Sequence, residues 1–230
     1  MTADPQLQAI LRNVALQRQK GDALTRTGRL EDAAKAYNLS VSRLDEAITS
    51  LPASLIDPGS HRSGIDPETA SDAAEFFGSR GGLLRRLGRL SDALESYRLG
   101  ADIENRYHLP ATYNRTNAIK LALITGGQTV EQSVPELEKL QSVLAELLST
   151  NENVADDAWR WADLGDVRLL LGDDAGAGSA FRTFAAKART DSPRLTLSVL
   201  REIAGALEEH GDESAQRILA SISKVEDMLN

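Results

Sequence analysis

Hydrophobic and polar residues follow a helical rhythm along most of the chain. Apolar side chains recur at intervals of three and four residues, as in the stretches 83–97 and 137–148. This spacing places them on one face of an α-helix. No stretch alternates with a period of two for long enough to predict a β-strand. The pattern therefore predicts an all-α protein.

Glycine and proline mark the predicted helix ends. Glycine adopts a left-handed conformation after the last helical turn without a steric penalty, and proline suits the first turn. The glycines are Gly28, Gly88, Gly126, Gly127, Gly172 and Gly211, and the prolines at or near helix starts are Pro110, Pro135 and Pro193. About ten helices in five hairpins follow, spanning 5–27 with 30–50, 68–87 with 90–107, 111–125 with 130–149, 155–171 with 174–188, and 193–210 with 212–228.

Residues 51–67 interrupt this pattern. Three prolines and two glycines in this stretch prevent a continuous helix. We predict an irregular surface loop between two hairpins. Long loops are often functional, so a second interpretation is a lid that closes over a ligand groove.

Three segments of the chain align without gaps, starting at Gly21, Gly81 and Gly165. Each has a glycine, a second glycine, an alanine and an aromatic residue at the same spacing. We predict that the first glycine lets two helices approach closely and that the second ends the first helix. The alanine fits the crossing of the helices, and the aromatic residue fills the space between successive hairpins. Such hairpins need stacked neighbours to bury their apolar faces.

This repeat resembles the tetratricopeptide repeat, abbreviated TPR, which has Trp-x2-Leu-Gly-x2-Tyr followed by Ala-x3-Phe. The third segment matches best, with Trp161, Leu164 and Gly165, then Ala177 and Phe181, although Arg168 replaces the tyrosine. The resemblance implies one domain over residues 1–230, a right-handed α-solenoid of about five antiparallel hairpins. It also implies a scaffold that binds other proteins.

A second stretch resembles the repeat region of apoptosis-signal-regulating kinases and related bacterial signalling proteins. It runs from Tyr113 through Asn117 and Ala118 to Gly126. This resemblance implies a regulatory scaffold in a signalling system.

In TPR proteins the first helix of each hairpin lines a concave groove that holds a partner peptide. Carried over by register, the implied groove residues are Arg18, Asp22, Arg26, Arg85, Arg86, Arg89, Asn117, Lys120, Trp159, Asp163 and Asp166. Arginine pairs well with carboxylates and phosphates, which favours an acidic or phosphorylated partner. The alternative is a solvated helix face on which Arg85 or Arg86 pairs with carboxylates of the same chain. Trp161 is predicted to lie in the core and Trp159 either on the groove side or partly buried.

Composition excludes several other classes of protein. The net charge of −8 argues against nucleic-acid binding, and the lack of cysteine excludes disulfides and thiolate metal sites. His61, His108 and His210 stand alone, so no metal site, cofactor or catalytic group is predicted. Asp156-Asp157 and Asp173-Asp174 are interpreted as caps at helix starts. No signal peptide or membrane span is recognisable, and a cytoplasmic location is expected.

The sequence therefore favours a non-enzymatic module that binds a protein or peptide partner. The alternatives are a sensor of a small ligand or signalling peptide with 51–67 as its lid, and an enzyme with an unrecognised site. Self-association is a further possibility, because the last helix carries an apolar face formed by Ile218, Leu219, Ile222, Val225 and Leu229.

Overall fold

The computed structural model describes residues 5–57, 64–150, 157–188 and 192–229. Helices account for almost all of this part of the chain, and it contains no β-strand. The prediction of an all-α protein built from helical hairpins is confirmed. The helices are α1 Pro5–Arg26, α2 Leu30–Thr49, α3 Ala53–Ile56, α4 Pro67–Arg86, α5 Leu90–Arg106, α6 Tyr113–Ile124, α7 Val130–Thr150, α8 Ala158–Leu171, α9 Asp174–Ala188, α10 Ser192–Glu209 and α11 Ser214–Leu229.

The glycines predicted to end helices do so. Gly172 follows α8 with a φ of 85°, a region that favours glycine. The N–H of Asp173 then reaches back to the carbonyl of Arg168 at 2.9 Å, and the N–H of Gly172 reaches that of Leu169 at 3.0 Å. These bonds satisfy carbonyls that have no partner within the helix. Positive φ angles also occur at Gly28, Gly88, Gly126 and Gly211.

The prolines behave less uniformly than predicted. Pro67 begins α4, where Asp66 caps the helix by accepting hydrogen bonds from the N–H groups of Glu68 and Thr69. Pro193 lies in the first turn of α10, as expected. Pro135 instead lies inside α7. Because proline has no N–H, the carbonyl four residues earlier loses its usual helical donor there.

The repeated glycine and aromatic residues meet within each hairpin. A Cβ added to Gly165 would lie 2.7–2.8 Å from three ring atoms of Phe181. Gly81 stands in the same relation to Tyr97, and Gly21 to Tyr37. The prediction that the first glycine permits close helix approach is thus confirmed. The aromatic ring, predicted to lie between successive hairpins, packs over the first glycine of its own hairpin.

The helices cluster into two compact units, Met1–Ala118 and Ile119–Asn230, and the boundary falls within α6. In the first unit, large side chains of α4 such as Phe76, Phe77 and Leu84 are buried. In the second unit, α7 to α11 and the end of α6 share one apolar core. The apolar face of α11 belongs to this core, because Ile218, Ile222 and Val225 are buried. These three side chains are therefore not free to pair with a second copy.

The first part of the predicted loop is held against α5. Residues 53–56 form the short helix α3, and Leu55 is fully buried. The guanidinium of Arg106 donates to the carbonyl oxygens of Ser54, Leu55 and Asp57 at 3.3, 2.5 and 3.3 Å. Residues 58–63 of the predicted loop, including His61, lie outside the described residues, and the lid interpretation stays a prediction.

Candidate functional site

A groove of about 320 Å³ runs along α4 in the first unit. We call it the α4 groove. One wall comes from α1, the other from the start of α6, and α5 contributes to its base. The lining residues are Arg18, Ser71, Ala74, Glu75, Gly78, Ser79, Gly82, Glu104, Ala111, Tyr113 and Asn114.

Small residues at intervals of four make the floor of the α4 groove. Ala74, Gly78 and Gly82 lie on one face of α4. A Cβ on Gly78 would lie 2.9 Å from Oδ1 of Asn114 and 3.1 Å from the ring of Tyr113. The glycine therefore lets the first turn of α6 approach α4 closely.

A buried polar network closes the end of the groove at α6. Nδ2 of Asn114 donates to the carbonyl of Ala74 at 3.0 Å and to Oε1 of Glu104 at 2.8 Å. The backbone N–H of Asn114 also donates to Oε1 of Glu104, at 3.2 Å. Glu104 and Asn114 are both only 2% exposed. The network thus fixes the orientation of the Asn114 amide.

Two oxygens of this network lack a hydrogen-bond donor among the described residues. They are Oδ1 of Asn114 and Oε2 of Glu104. Nε of Arg115 lies 3.4 Å from Oε2 and forms an ion pair rather than a hydrogen bond. Burial raises the pKa of Glu104, although the bonds from Asn114 and the charge of Arg115 act in the opposite direction. The base of the groove therefore has unused capacity to accept hydrogen bonds.

Opposite charges stand on the walls of the α4 groove. Arg18 lines it from α1 and Glu75 from α4. Desolvation by the groove walls and the nearby charge of Asp72 raise the pKa of Glu75, while Arg18 lowers it. A carboxylate in this position is stabilised by any additional cation that enters the groove.

Asp22 and Arg86, two of the predicted groove residues, pair with one another. Nε of Arg86 lies 2.8 Å from Oδ1 of Asp22, and the hydroxyl of Tyr37 donates to the same oxygen at 2.8 Å. Burial alone would raise the pKa of Asp22, but Arg86 and Tyr37 outweigh it, and the pKa is lowered. For Arg86, the interpretation as an arginine paired within the chain is the one that the structure supports.

Three other predicted groove residues form a charge cluster in the second unit. The ammonium of Lys120 donates to Oδ2 of Asp166 and lies 3.8 Å from Oδ1 of Asp163. Lys120 is 7% exposed and Asp166 is 1% exposed. This corrects the prediction that both side chains face a partner, because the packing of α6 against α8 encloses them. Burial raises the pKa of Asp163 to about 7, with Lys120 opposing and Asp166 reinforcing the shift.

The raised pKa of Asp163 predicts a pH-dependent stability. The folded state holds the proton of Asp163 up to about pH 7, whereas the unfolded chain releases it near the ordinary value of 3.8. The free energy of unfolding therefore loses a contribution as the pH rises through this window. We expect Asp163→Asn to stabilise the second unit by about 1–2 kcal/mol more at pH 8 than at pH 5, because asparagine stays neutral.

Urea unfolding at both pH values measures this difference. Trp159 and Trp161, the only tryptophans of the chain, both lie in the second unit and report its unfolding by fluorescence. Asp227→Asn, at an exposed position of α11, is the control. An equal effect of Asp163→Asn at pH 5 and pH 8 would contradict the assignment.

The remaining predicted arginines lie towards the ends of helices. Arg26 is exposed at the end of α1, and Arg85 is half-buried near the end of α4. Arg89 lies in the turn before α5 and pairs with Asp92 at 2.6 Å. A contact of these arginines with a partner stays a prediction.

Asn117 and Trp159 differ in solvent exposure. Nδ2 of Asn117 donates to the carbonyl of Tyr113 at 2.8 Å, so the side chain continues the helix surface. Trp159 is 58% exposed, and its ring centroid lies 5.2 Å from that of Phe184. Trp161, which was predicted to lie in the core, is partly buried and packs against the apolar core of the second unit. The exposed Trp159 is thus available as an anchor of the kind found at interaction hot spots.

The sequence prediction missed most of the α4 groove. Of its lining residues only Arg18 was predicted, and Glu75, Glu104, Tyr113 and Asn114 were not. The available signal was the run of small residues at 74, 78 and 82, whose spacing leaves one helix face without side chains.

Other candidate chemistry gives no site. His108 and His210 are exposed, and no cluster of histidine and carboxylate side chains in the described residues is suited to hold a metal ion. Asp157 and Asp173 cap helix starts, as predicted, by accepting from the N–H groups of Trp159 and Gly176. Asp174 lies in the first turn of α9, and Asp156 lies outside the described residues. Among the described helices, none has the length and apolar character needed to cross a membrane.

Comparison with known proteins finds two solved structures. No protein-family model matches the chain, and no curated protein matches it. Two solved structures do, both of nearly identical TPR-like repeats from a Podosopora anserina protein described as a kinesin light chain. The Q17M form has a TM-score of 0.46, and the alignment covers 94% of this chain and 95% of that one. The other has a TM-score of 0.45 and covers 94% and 96%, and both are 15% identical to this chain.

Proposed function

We propose that the protein is a non-enzymatic interaction module that binds a segment of a partner protein in the α4 groove. The observation that carries this proposal is the groove itself. Its floor of small residues leaves room for a chain segment, and side chains of opposite charge stand on its walls. A volume of about 320 Å³ suits one or two side chains of such a segment or a small ligand.

Preformed geometry supports binding by this groove. The side-chain amide of Asn114 is fixed by two hydrogen bonds and its backbone N–H by a third, and Gly78 lets the Tyr113 ring approach α4. A site that is already ordered loses little conformational entropy when a partner binds. Tyr113 is half exposed, so it offers an aromatic surface beside a polar base.

The acidic or phosphorylated character of the partner is a separate part of the prediction. It rests on the arginines of the predicted groove, of which Arg89 pairs with Asp92. Arg86 pairs with Asp22, so an acidic segment would have to displace that carboxylate. Arg18 is the arginine that lines the groove itself. A role in signalling follows only from the resemblance in residues 113–126.

The small-ligand alternative has less support from the described residues. Its lid was predicted over residues 51–67, but the part up to Asp57 is anchored by buried Leu55 and by Arg106. A groove open along α4 accommodates a peptide without such a lid. We therefore place the partner segment along α4, between Arg18 and Tyr113.

Filling the groove tests this proposal. Ser71 is exposed on the groove wall, so Ser71→Trp is expected to occupy the groove without disturbing the core. Proteins that co-purify with the tagged full chain from its native lysate are identified by mass spectrometry, and the purified partner is then titrated. We expect Ser71→Trp to weaken its affinity by about tenfold or more, as loss of a central contact does.

The matched control is Ser42→Trp, at an exposed serine of α2 in the same unit. It adds the same bulk away from the groove and should retain the partner. Adding Arg85→Glu/Arg86→Glu as a third sample tests the arginines separately. A partner that binds all three variants equally would place its site elsewhere and contradict the α4 groove.

A further inference from the structure

The described side chains of the α4 groove offer more hydrogen-bond acceptors than cationic donors. Its side chains offer several hydrogen-bond acceptors, which include the carboxylate of Glu75, Oε2 of Glu104 and Oδ1 of Asn114. Among the described residues that line it, Arg18 is the one cationic donor. A buried acceptor without a donor is unfavourable, so a ligand that supplies donors gains from satisfying it.

The electrostatic balance points in the same direction. Oε2 of Glu104 forms an ion pair with Nε of Arg115 at 3.4 Å. Glu75 lines the groove with Asp72 nearby, and its pKa is raised. A cation entering the groove offsets the desolvation and the charge of Asp72 that raise the pKa of Glu75, an exposed residue of α4. An anion would approach this carboxylate and two oxygens that lack donors, with Arg18 as the only attraction.

The shape of the groove limits which cation fits. Gly78 and Gly82 provide a floor without side chains, and the ring of Tyr113 flanks it. A planar guanidinium or a slender ammonium chain fits beside an aromatic ring, where cation–π attraction adds to hydrogen bonding. Guanidinium carries five N–H donors in a flat array, more than any other side chain.

We propose that the α4 groove recognises a basic side chain, foremost an arginine, on the segment of the partner protein that it binds. This inference rests on the proposed function and names the partner chemistry at its site. The guanidinium lies between Glu75 and the base formed by Asn114 and Glu104, with its face towards Tyr113. Arg18 is then a repulsive neighbour that limits affinity rather than the residue that attracts the partner.

Charge-matched peptides test this inference on the full chain. The probe is an N-acetylated, C-amidated hexapeptide with one arginine among alanines and serines. Its counterparts carry citrulline, which has nearly the same shape without the charge, or glutamate. Binding is followed by NMR through the amide signals of Ser71, Glu75 and Ser79. We expect the arginine peptide to shift these signals and the citrulline and glutamate peptides to bind at least tenfold more weakly.

Variants of the protein show whether Glu75 and Arg18 strengthen or weaken binding of the arginine peptide. Glu75→Gln is expected to weaken the arginine peptide about tenfold, as loss of a charge-assisted hydrogen bond does. Glu46→Gln makes the same change at an exposed position of α2 and should have no effect. Arg18→Gln is expected to strengthen the arginine peptide. Equal binding of the arginine and citrulline peptides, or a loss of arginine-peptide binding in Arg18→Gln, would overturn the proposal.

Two further outcomes separate this inference from the proposed function. If the glutamate peptide shifts the signals and Ser71→Trp blocks it, the groove still binds peptides and only the basic specificity is wrong. If agmatine, a free guanidinium compound, shifts the signals while the arginine peptide does not, the cation comes from a small molecule and the peptide assignment is overturned.

Discussion

Asp166→Asn is expected to lower the free energy of unfolding of the second unit by about 3–5 kcal/mol. The carboxylate of Asp166 is almost fully buried and accepts from the ammonium of Lys120, which is buried with it. Asparagine keeps the shape of the side chain but removes the charge, so a buried ammonium loses its nearest counter-ion. Urea unfolding followed by tryptophan fluorescence measures the loss, with Asp227→Asn as the exposed control.

Replacing both partners should recover most of this loss. Lys120→Met/Asp166→Leu removes the two charges together, and apolar residues of similar volume often substitute a buried pair without penalty. The carboxyl of Asp163 lies 3.8 Å from the ammonium and could take over from Asp166 in the single variant. If Asp166→Asn lowers the free energy of unfolding by less than about 1 kcal/mol, the value of an exposed ion pair, then Asp163 has replaced Asp166 as the partner of Lys120.

Gly165→Ala is expected to lower the free energy of unfolding of the same unit by about 1–3 kcal/mol. The added methyl group would meet three ring atoms of Phe181 at 2.7–2.8 Å, and this ring is fully buried. Alanine is the better helix former, so the expected loss runs against helix propensity. The sign of the change in the free energy of unfolding therefore shows whether close packing against Phe181 or the helix propensity of alanine dominates.

Gly205→Ala in α10 is the matched control for this prediction. Gly205 is exposed, and an added Cβ would meet no atom within 4 Å. Its replacement should raise the free energy of unfolding by about 0.5–1 kcal/mol, because alanine loses less backbone entropy. If Gly165→Ala is also stabilising, α8 and α9 can separate at little cost and the glycine is not a packing requirement.

Helix ends could be predicted from the sequence because they depend on single residues. A positive φ is a property that glycine tolerates alone, and all five glycine helix ends described here have one. The small residues at hairpin crossings were equally readable, since Ala33, Ala93 and Ala177 are buried as their register implied. Pro135 shows the limit, because an internal proline is tolerated when enough of the helix packs around it.

The site was harder to predict because the burial of a charged side chain and the identity of its ion-pair partner depend on neighbouring helices. Register placed Lys120 and Asp166 on a first helix of a hairpin, but it did not reveal that α8 packs over Lys120. Asp22 and Arg86 lie 64 positions apart in the chain, so their pairing depends on how α1 and α4 pack. Asn114 and Glu104 form a network whose purpose is visible only once Gly78 brings α6 against α4.

The contact between a glycine and an aromatic ring in three hairpins also bears on how such chains can diverge. Gly165 and Phe181 share one volume, as do Gly81 and Tyr97, so a larger residue at the first position lowers stability unless the second becomes smaller. A relative with alanine at the first position is expected to carry a smaller residue at the second. Paired substitutions at these positions would therefore trace hairpin ancestry in sequences whose individual motif residues have been lost.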